Sequence, residues 1–582
     1  MLTDTALYAG PKYSSYYRMR PKFMERRIRL VFIIIAVLFV LISVRLFYWQ
    51  IIKNGEFGSI GLDQRTRVFP IPGSRGTIIS ANGAPLVSNQ QAFLVYGEPK
   101  SITDPILTRQ KLAGALEVPE SSISAQIEDK TKSWIPIARK ISAEKKQKVS
   151  SLHIKGIDYE EENIRYYPES SMAAHLLGFV GSDTNGDDKG YFGLEGYYDR
   201  TLKGRNGSLK QETDAKGLPI LMGFQNRIES IDGSSLNLYV DKSVQFIIEE
   251  KLKDALIRYQ AKGGWVVVMD PATGGILGMA SYPNYDPKSY SDFDSSYYKN
   301  PVVAETYEPG STFKTVVMSA ALNERKVKPN QVVAETGPIE VGGYKIRTWN
   351  NQYSGSLTAT GILERSSNVG MVEVGQLLGK DLLYRYIEKF GFGHPTGIDL
   401  EDETSSSLRP QSAWYDIDFA TASFGQGIAV TPIQMIQAVS AIANGGSLME
   451  PHVVKAVIRQ DGSKINIPPK KIRTVISKEA SAVMSEMMVA SAAHGEAQFA
   501  IPKGYRIAGK TGTAQIPISG HYDPSKTIAS FVGFAPVPNP RFVILTTLKE
   551  PGTSPWGSET AAPLFFDIAE DLFNYYKIAP SQ

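Results

Sequence analysis

The sequence contains no cysteine and only six histidines in 582 residues. Without cysteine the protein has no disulfide, no thiolate metal site and no cysteine nucleophile. The histidines are scattered without paired spacing, which is typical of solvated or structural positions. We therefore expect neither a metal nor a cofactor, and a Ser-His-Asp triad is disfavoured. The histidines are His153, His175, His394, His452, His494 and His521.

An excess of positive charge is also missing from most of the chain. The 63 basic and 59 acidic side chains give a formal net charge of +4. Seven basic residues lie within the first 29 positions, so the remainder is close to neutral. A nucleic-acid-binding domain would carry a basic face, so we expect no nucleic-acid partner. The seven residues are Lys12, Arg18, Arg20, Lys22, Arg26, Arg27 and Arg29.

A long apolar segment is present at residues 28–52, and it matches the roughly 20 residues that cross a bilayer. Arg45 lies near enough to its end to snorkel towards the interface, and Tyr48 and Trp49 suit the interfacial aromatic belt. A cleaved signal peptide and a buried helix are the alternatives, but no small-residue cleavage site follows the run. The preceding basic cluster predicts that residues 1–27 are cytoplasmic and that the chain after residue 52 is exported.

Two or three domains are expected at this length, and the sequence pattern changes near residue 240. Residues 53–235 are predicted to be β-rich, without visible site chemistry. Arg75–Val87 contains two short apolar strands around Asn82-Gly83, which is a strong hairpin signal. Gly193–Gly207 runs from a glycine-rich turn through a short helix into an Asn-Gly turn.

Residues 236–577 are predicted to form an α+β domain. Strands are predicted near both of its ends, so one mainly antiparallel sheet must combine distant segments. Residues 300–500 are predicted to be largely helical, with helices packed around the sheet. The predicted end elements are a helix at Ser243–Ala261, two strands within Trp265–Ser281, strands at Ile528–Pro536 and Arg541–Glu550, and a helix at 561–577.

The sequence EPGSTFK, ending at Lys314, places a Pro-Gly turn before an apolar helix at Thr315–Leu322. Ser311 is then at the helix N-terminus, with Lys314 one turn along on the same face. The lysine amine can take the hydroxyl proton, and the helix dipole favours the developing anion. The pattern alone says little, because it recurs at Ser142–Lys145 and Ser296–Lys299, which we interpret as solvated surface.

A second short motif is the triple Ser366-Ser367-Asn368. Most triples of this kind are helix caps or turns. The functional interpretation uses Ser366 as a proton relay and Asn368 as an amide that holds the substrate or Lys314.

The third motif, Lys510-Thr511-Gly512-Thr513, follows a predicted strand at Tyr505–Ala508. Lys510 supplies a fixed cation, and the hydroxyls of Thr511 and Thr513 can bind a carboxylate. Gly512 lacks a side chain, which would let an extended substrate lie against the strand edge.

The order and spacing of the three motifs match the signature shared by penicillin-binding proteins and class A β-lactamases. The chain resembles a class B penicillin-binding protein, the monofunctional transpeptidase type used in cell division or elongation. The resemblance implies a cytoplasmic tail (1–27), a transmembrane helix (28–52), a pedestal or dimerisation-type domain (53–235) and a penicillin-binding transpeptidase domain (236–577). Further matching features are Arg75-Gly76, Gly193-Leu194-Glu195, Thr273–Pro287, Trp349, Phe424–Met435 and Ala561-Ala562-Pro563.

One departure is Ala492-Ala493-His494-Gly495, where relatives usually carry a Gly-Thr-Ala turn, and we expect it to lie away from the motifs. No glycosyltransferase signature precedes the pedestal, which disfavours a bifunctional class A enzyme.

The resemblance implies a serine acyltransferase that cross-links peptidoglycan stem peptides ending in D-Ala-D-Ala and is acylated by β-lactams. Ser311 would attack, Lys314 would accept its proton, and Ser366 would return a proton to the leaving group. The backbone N–H groups of Ser311 and Thr513 would form the oxyanion hole, and Lys510, Thr511 and Thr513 would bind the substrate carboxylate. The implied partners are stem peptides, β-lactams, the membrane and a multi-spanning glycosyltransferase.

Two alternatives share these motifs. A β-lactamase needs a base that activates water, and no Glu-x-x-Leu-Asn loop lies between Asn368 and Lys510. A membrane-bound β-lactam sensor needs a cytoplasmic effector domain, for which residues 1–27 are too short. Motifs and fold alone do not separate these classes, so the membrane topology is what favours the transpeptidase.

Overall fold

The computed structural model describes residues 22–184, 186–214, 220, 222–405, 408–518 and 521–580, so most of the predicted cytoplasmic tail lies outside it. The helices before residue 240 are α1 (Lys22–Phe47), α2 (Asn54–Arg65), α3 (Pro105–Leu116), α4 (Ala143–Ser150), α5 (Ala174–Leu177), α6 (Gly193–Tyr197) and α7 (Asp199–Leu202). The strands are β1 (Thr66–Ile71), β2 (Ile78–Ile79), β3 (Pro85–Gly97), β4 (Ile135–Ile141), β5 (Ile157–Tyr166), β6 (Phe179–Ser182), β7 (Asp188–Tyr191), β8 (Gly207–Glu212), β9 (Gln225–Ile228) and β10 (Ser235–Leu238).

Two compact units divide the chain, and the first comprises the residues up to Ile71 together with Gly207–Glu229. Its helix α1 continues through a π-helical turn at Tyr48–Ile52. Within the described part of the chain, Glu25–Ile52 is the one helix long and apolar enough to cross a membrane, and its side chains are exposed throughout. A lipid bilayer is the environment that such a surface fits. The same unit holds an antiparallel sheet of order β1-β8-β9.

The remaining elements are helices α8 (Lys242–Arg258), α9 (Pro301–Ala304), α10 (Lys314–Asn323), α11 (Ala359–Glu364), α12 (Asn368–Leu378), α13 (Lys380–Lys389), α14 (Asp416–Ala422), α15 (Pro432–Ala443), α16 (Lys478–His494) and α17 (Ala561–Tyr575). The strands are β11 (Gly263–Met269), β12 (Ile276–Tyr282), β13 (Val332–Glu335), β14 (Ile339–Val341), β15 (Tyr344–Ile346), β16 (Gly355–Thr358), β17 (Ser447–Met449), β18 (Val454–Ile458), β19 (Lys464–Asn466), β20 (Lys471–Thr474), β21 (Ala508–Ile518), β22 (His521–Ala535) and β23 (Phe542–Lys549).

The second unit, Pro72–Asn206 with the residues from Ser230 onward, contains a sheet of order β19-β18-β10-β2-β3-β4, with β5 also paired to β3. The predicted hairpin is confirmed, because Ile78 faces Val87 in the antiparallel pair of β2 and β3. Strands β18 and β19 pair with β10 although they come from the later part of the chain. A late segment therefore completes a sheet that the early segments begin.

The same unit contains the α+β core expected from the sequence. Its five-stranded antiparallel sheet has the order β12-β11-β23-β22-β21, which places β21 at an edge. One face of the sheet packs against α8 and α17. The other face packs against the central helices, among them α10, which is buried from Lys314 to Leu322. The first two sequence motifs lie at the starts of α10 and α12, and the third lies within the edge strand β21.

A buried ion-pair cluster fixes the hairpin of residues 75–87 to the short helix α6. Glu195 is fully buried and accepts hydrogen bonds at 2.6 Å from both Arg75 Nε and Arg165 Nε. Arg75 also donates to Asp199 at 2.7 Å. The sequence shows no site chemistry in this region. In the structure these four charged residues stabilise the packing of the second unit.

Glu195→Gln is expected to lower the free energy of unfolding by about 3–5 kcal/mol, because it leaves the buried Arg165 without its carboxylate and Arg75 with Asp199 alone. The matched control is Glu117→Gln, since Glu117 pairs with Lys148 at the surface, where solvent screens the interaction and its loss should have little effect on stability. Chemical denaturation of the purified full-length chain measures both changes. Equal effects of the two substitutions would contradict a stabilising role for the buried cluster.

Candidate active site

Ser311 lies on a 3-10 turn, Gly310–Phe313, that leads directly into α10. The Gly310 amide donates to the Gly425 carbonyl at 3.0 Å, and a Cβ at Gly310 would lie 3.0 Å from the Thr513 carbonyl oxygen. The turn is therefore held between a glycine-rich segment and the edge strand β21. Ser311 is partly exposed while its neighbours on the turn are buried, so this residue faces the cavity.

Lys314 is fully buried below the turn. Its Nζ donates to the Ser366 carbonyl at 2.6 Å and to Asn368 Oδ1 at 2.8 Å, and the Ser366 hydroxyl lies 3.3 Å away. Burial lowers the pKa of Lys314 well below its ordinary value, and the positive charge of Lys510 lowers it further. A neutral amine uses its two hydrogens in the two shorter contacts, which leaves a lone pair to accept a proton.

The second motif lies at the start of α12 and combines both interpretations of its sequence. Ser367 is the helix cap, because its side chain accepts from the Gly370 amide at 3.0 Å. Ser366 and Asn368 flank the cap and contact Lys314. The Asn368 amide also donates to the Arg347 carbonyl at 3.2 Å, which fixes its oxygen towards the lysine.

The third motif lies within β21, which begins at Ala508, so the prediction that it follows a strand at Tyr505–Ala508 is wrong. Lys510 is only 2% exposed, and its Nζ donates to Thr511 Oγ1 at 2.9 Å. Burial lowers the pKa of Lys510 to about 8, and the charge of Glu496 opposes that shift. Lys510 therefore stays cationic at neutral pH, although it is buried.

Gly512 lies where the packing of the protein itself leaves no room for a side chain. A Cβ at this position would lie 2.4 Å from Ser530 Oγ and 2.8 Å from the methyl group of Thr312. The missing side chain thus allows the turn that bears Ser311 to pack directly against β21. The expectation that this glycine also makes room for an extended substrate stays a prediction.

A cavity of about 410 Å³ joins the three motifs. Lys314 and Lys510 are buried, and Gly512 packs against the turn, so these three residues do not line it. Trp349 and Trp556 form one wall, with ring centroids 4.9 Å apart. The predicted site residues that line the cavity are Ser311, Ser366, Asn368, Thr511 and Thr513.

Glu496 also lines this cavity, and sequence reasoning missed it. The unusual turn at Ala492–Gly495 was expected to lie away from the motifs, and this expectation is wrong. Helix α16 packs against β21, and a Cβ at Gly495 would lie 3.1 Å from the Glu364 carbonyl, close to the second motif. Partial burial raises the pKa of Glu496, and the charges of Lys510 and Lys314 oppose the rise. The departure of Ala492–Gly495 from the family pattern was the sequence signal that could have drawn attention to Glu496.

No group of three or more metal-binding side chains occurs within the described ranges. The described polar groups around the cavity are hydroxyls, amides, two lysines and one carboxylate. This set suits acyl transfer, because it offers a nucleophile, a neutral amine base and a cation for a carboxylate.

Comparison with known proteins gives consistent matches. The family described as "Penicillin binding protein transpeptidase domain" matches residues 264–570, and "Penicillin-binding Protein dimerisation domain" matches residues 70–238. Stage V sporulation protein D of Bacillus subtilis is 38% identical over 97% of this chain and 88% of its own length. Peptidoglycan D,D-transpeptidase FtsI of Escherichia coli is 32% identical over 91% of this chain and 87% of its own length.

The fold is also similar to solved structures. Penicillin binding protein 3 from Mycobacterium tuberculosis, complexed with aztreonam, superposes with a TM-score of 0.69 at 27% identity, covering 88% of this chain and 98% of that one. A peptidoglycan synthetase from Bifidobacterium adolescentis gives a TM-score of 0.71 at 27% identity, covering 89% and 98%.

Proposed function

Because the chain belongs to the class B penicillin-binding proteins, we propose that it cross-links peptidoglycan stem peptides as a serine-type D,D-transpeptidase. One observation gives the main support for a mechanism with Ser311 as the nucleophile. Lys314 is fully buried, has a strongly lowered pKa and contacts Ser366 and Asn368 of the second motif beneath the turn that bears Ser311. A neutral amine at this place is the base that a serine needs when no histidine is available.

Acylation then proceeds with these residues in separate roles. Ser311 Oγ bonds to the carbonyl carbon of the penultimate D-alanine while Lys314 accepts its proton. The bond to the terminal D-alanine breaks, and the proton reaches the departing nitrogen through the Ser366 hydroxyl. The backbone N–H groups of Ser311 and Thr513 stabilise the oxyanion, a contribution of roughly 3 kcal/mol in comparable sites.

The carboxylate of the donor peptide binds at the third motif. Thr511 and Thr513 present hydroxyls to the cavity, and Lys510 lies directly behind Thr511. A cation buried behind neutral donors attracts an anion without being exposed to water, which strengthens the interaction. A β-lactam carries a carboxylate in the corresponding place and acylates the same serine.

The acyl-enzyme is resolved by an amine of a neighbouring stem peptide, and this step separates a transpeptidase from the two alternatives. A β-lactamase would release the acyl group to water, and Glu496 is the carboxylate in the cavity that could serve it. A sensor would remain acylated and transfer nothing to an amine.

The test mixes the full-length chain, purified in detergent, with excess penicillin. One adduct per chain is expected to form and to persist for many minutes to hours, because a transpeptidase site excludes water during deacylation. Intact mass over time measures this, and transfer from a donor peptide to an added amine supplies the second readout. Rapid multiple turnover of penicillin would identify a hydrolase, and a stable adduct without transfer would identify a sensor.

We propose that α1 anchors the chain in the cell membrane with a single span, the N-terminus in the cytoplasm and the catalytic domain outside. The support is the exposed apolar helix and the basic residues that precede it. The proposed divisions are the tail (1–27), the span (28–52), the pedestal (53–235) and the transpeptidase domain (236–577). The pedestal then receives two strands, β18 and β19, from the transpeptidase segment.

A multi-spanning glycosyltransferase is the proposed partner, because a transpeptidase without its own polymerase needs glycan strands delivered to it. Contacts are expected through residues 28–52 and through the hairpin of residues 75–87. Arg75 itself is buried in an ion pair, so substitutions that test the hairpin belong at its exposed tip, Ala81–Gly83. Co-purification of the glycosyltransferase after both the span and this tip have been replaced would contradict the proposal.

A further inference from the structure

Glu496 takes no direct part in the acylation of Ser311 by the donor peptide, which is the first half of the proposed reaction. Among the described residues that line the cavity, it alone carries a side-chain charge. It follows Gly495 at the end of α16, and its side chain is accessible from the cavity. The acylation chemistry is complete without it, since Lys314 is the base and Lys510 is the cation for the donor carboxylate.

Glu496 lines the cavity together with Trp349 and Trp556. Trp349 packs edge-on against Trp556 in the wall of the cavity, and its indole lies near enough to lower the pKa of the Glu496 carboxyl against the effect of burial. Glu496 is also near enough to Lys510 and Lys314 to interact with both charges. A carboxylate is thus held at the mouth of the same cavity in which Ser311 becomes acylated.

The two substrates of a transpeptidase carry opposite charges at their reacting ends. The donor ends in a carboxylate, whereas the acceptor is a primary amine whose ordinary pKa of about 10.4 makes it an ammonium at neutral pH. A site that holds both a cation and an anion near one nucleophile offers a counter-charge to each substrate. Lys510 is the counter-charge of the donor carboxylate, so the Glu496 carboxylate is left as the counter-charge of the acceptor ammonium.

We propose that Glu496 binds the ammonium group of the acceptor stem peptide and positions it beside the acylated Ser311. This inference rests on the proposed transpeptidase function. The bound ammonium passes one proton to the Glu496 carboxylate, and its neutral nitrogen then bonds to the acyl carbon. The C–O bond to Ser311 breaks, and the second amine proton moves through Lys314 to Ser311 Oγ. Glu496 afterwards releases its proton to solvent, so the enzyme returns to its starting state.

The test compares Glu496→Gln with the wild type in full-length chain, using three probes at pH 7. Fluorescent penicillin reports donor-side acylation alone. A thioester donor peptide with D-alaninamide reports transfer to a cationic acceptor, and the same donor with hydroxylamine reports transfer to an uncharged nucleophile. Glu570→Gln is the matched control, because Glu570 is an exposed carboxylate on α17, which packs on the opposite face of the sheet.

Glu496→Gln is expected to lower kcat/KM for D-alaninamide about tenfold, mainly through KM, because one charge of an interacting pair is removed. Transfer to hydroxylamine should change less than about twofold. Acylation by penicillin should fall much less than transfer to D-alaninamide, since Glu496 acts on the donor side only by helping to keep Lys510 charged. Glu496→Asp should restore part of the loss. The control should leave all three rates unchanged.

Three results would overturn the inference. Equal losses in penicillin acylation and in D-alaninamide transfer would show that Glu496 acts on the donor side, by keeping Lys510 charged. Equal losses for both acceptors would show a role unrelated to the ammonium. Slower hydrolysis of the thioester with unchanged transfer would make Glu496 a base for water. Absence of any transfer by the wild type would instead refute the proposed function, so the two failures are distinguishable.

Discussion

Ser311→Ala is expected to abolish the covalent adduct with penicillin and to leave the protein folded. The side chain faces the cavity, whereas the packing of the turn comes from the buried residues Thr312 and Phe313. Ser311 caps neither the turn nor α10, so loss of its hydroxyl removes no capping hydrogen bond and should change stability little. Intact mass after incubation with penicillin measures the adduct, and thermal unfolding measures the fold.

The matched control for this experiment is Ser296→Ala. Ser296 begins the same Ser-x-x-Lys pattern, but it and Lys299 are exposed on the surface. The control should label as the wild type does. An adduct that persists on the Ser311→Ala chain would show that another residue is the nucleophile.

The two lysines of the site should respond differently to arginine. Lys314→Arg is expected to lower the acylation rate by about 10²–10⁴-fold, because a guanidinium stays protonated and cannot act as the base. Since a charged group at this buried position also disturbs packing, Lys314→Met provides a second variant that removes the base without adding charge. Stopped-flow acylation by a fluorescent penicillin measures both. A rate within about tenfold of the wild type in either variant would contradict the role of Lys314.

Lys510→Arg should retain partial activity, because Lys510 supplies only a charge. The pH profile gives a sharper test. The pKa of Lys510 is about 8, so its charged form is lost as the pH rises through this value, and acylation of the wild type should fall on the alkaline side. Arginine keeps its charge there, so the alkaline fall should disappear in Lys510→Arg. The acid fall should remain in both proteins, because Lys314 must be neutral and is protonated as the pH drops below its lowered pKa. Equal loss of activity in the two arginine variants would argue against this division of roles.

The residues of the three motifs could be singled out from the sequence because their order and spacing resemble a known family, and the structure brings them together around one cavity. Ser311 and Lys314 lie within four residues of each other, so one helical turn is enough to bring an amine near the serine. Local pattern also predicted most elements of the main sheet, because α8 and the strands of 263–282 and 528–549 have clear periodicity. The predicted strand at Tyr505–Ala508 rested on only four residues, and it is wrong.

Several features that the sequence did not reveal depend on contacts between distant parts of the chain. Glu496 follows a turn whose sequence has no recognisable chemistry, and it reaches the cavity only because α16 packs against β21. The role of Gly512 depends on Thr312 and Ser530, and no sequence pattern shows that these residues converge. Strand β19 is three residues long and exposed, so nothing in it indicates that it extends the sheet through β18. Such features follow from tertiary packing, which overrides weak local preference.

The strand order β12-β11-β23-β22-β21 has a consequence for when the domain can fold during its synthesis. Strand β11 precedes its partner β23 by more than half of the domain's sequence, and β21 joins the sheet only through β22 and β23. Contacts between such distant segments form slowly, and a chain synthesised from its N-terminus cannot make them until its last segment emerges. Until β22 and β23 have been synthesised, β21 cannot join the rest of the sheet, so Lys510 and Thr513 cannot take up their places beside Ser311. We expect a ribosome-stalled product that ends before β23 to be inactive, although it already contains all three motifs.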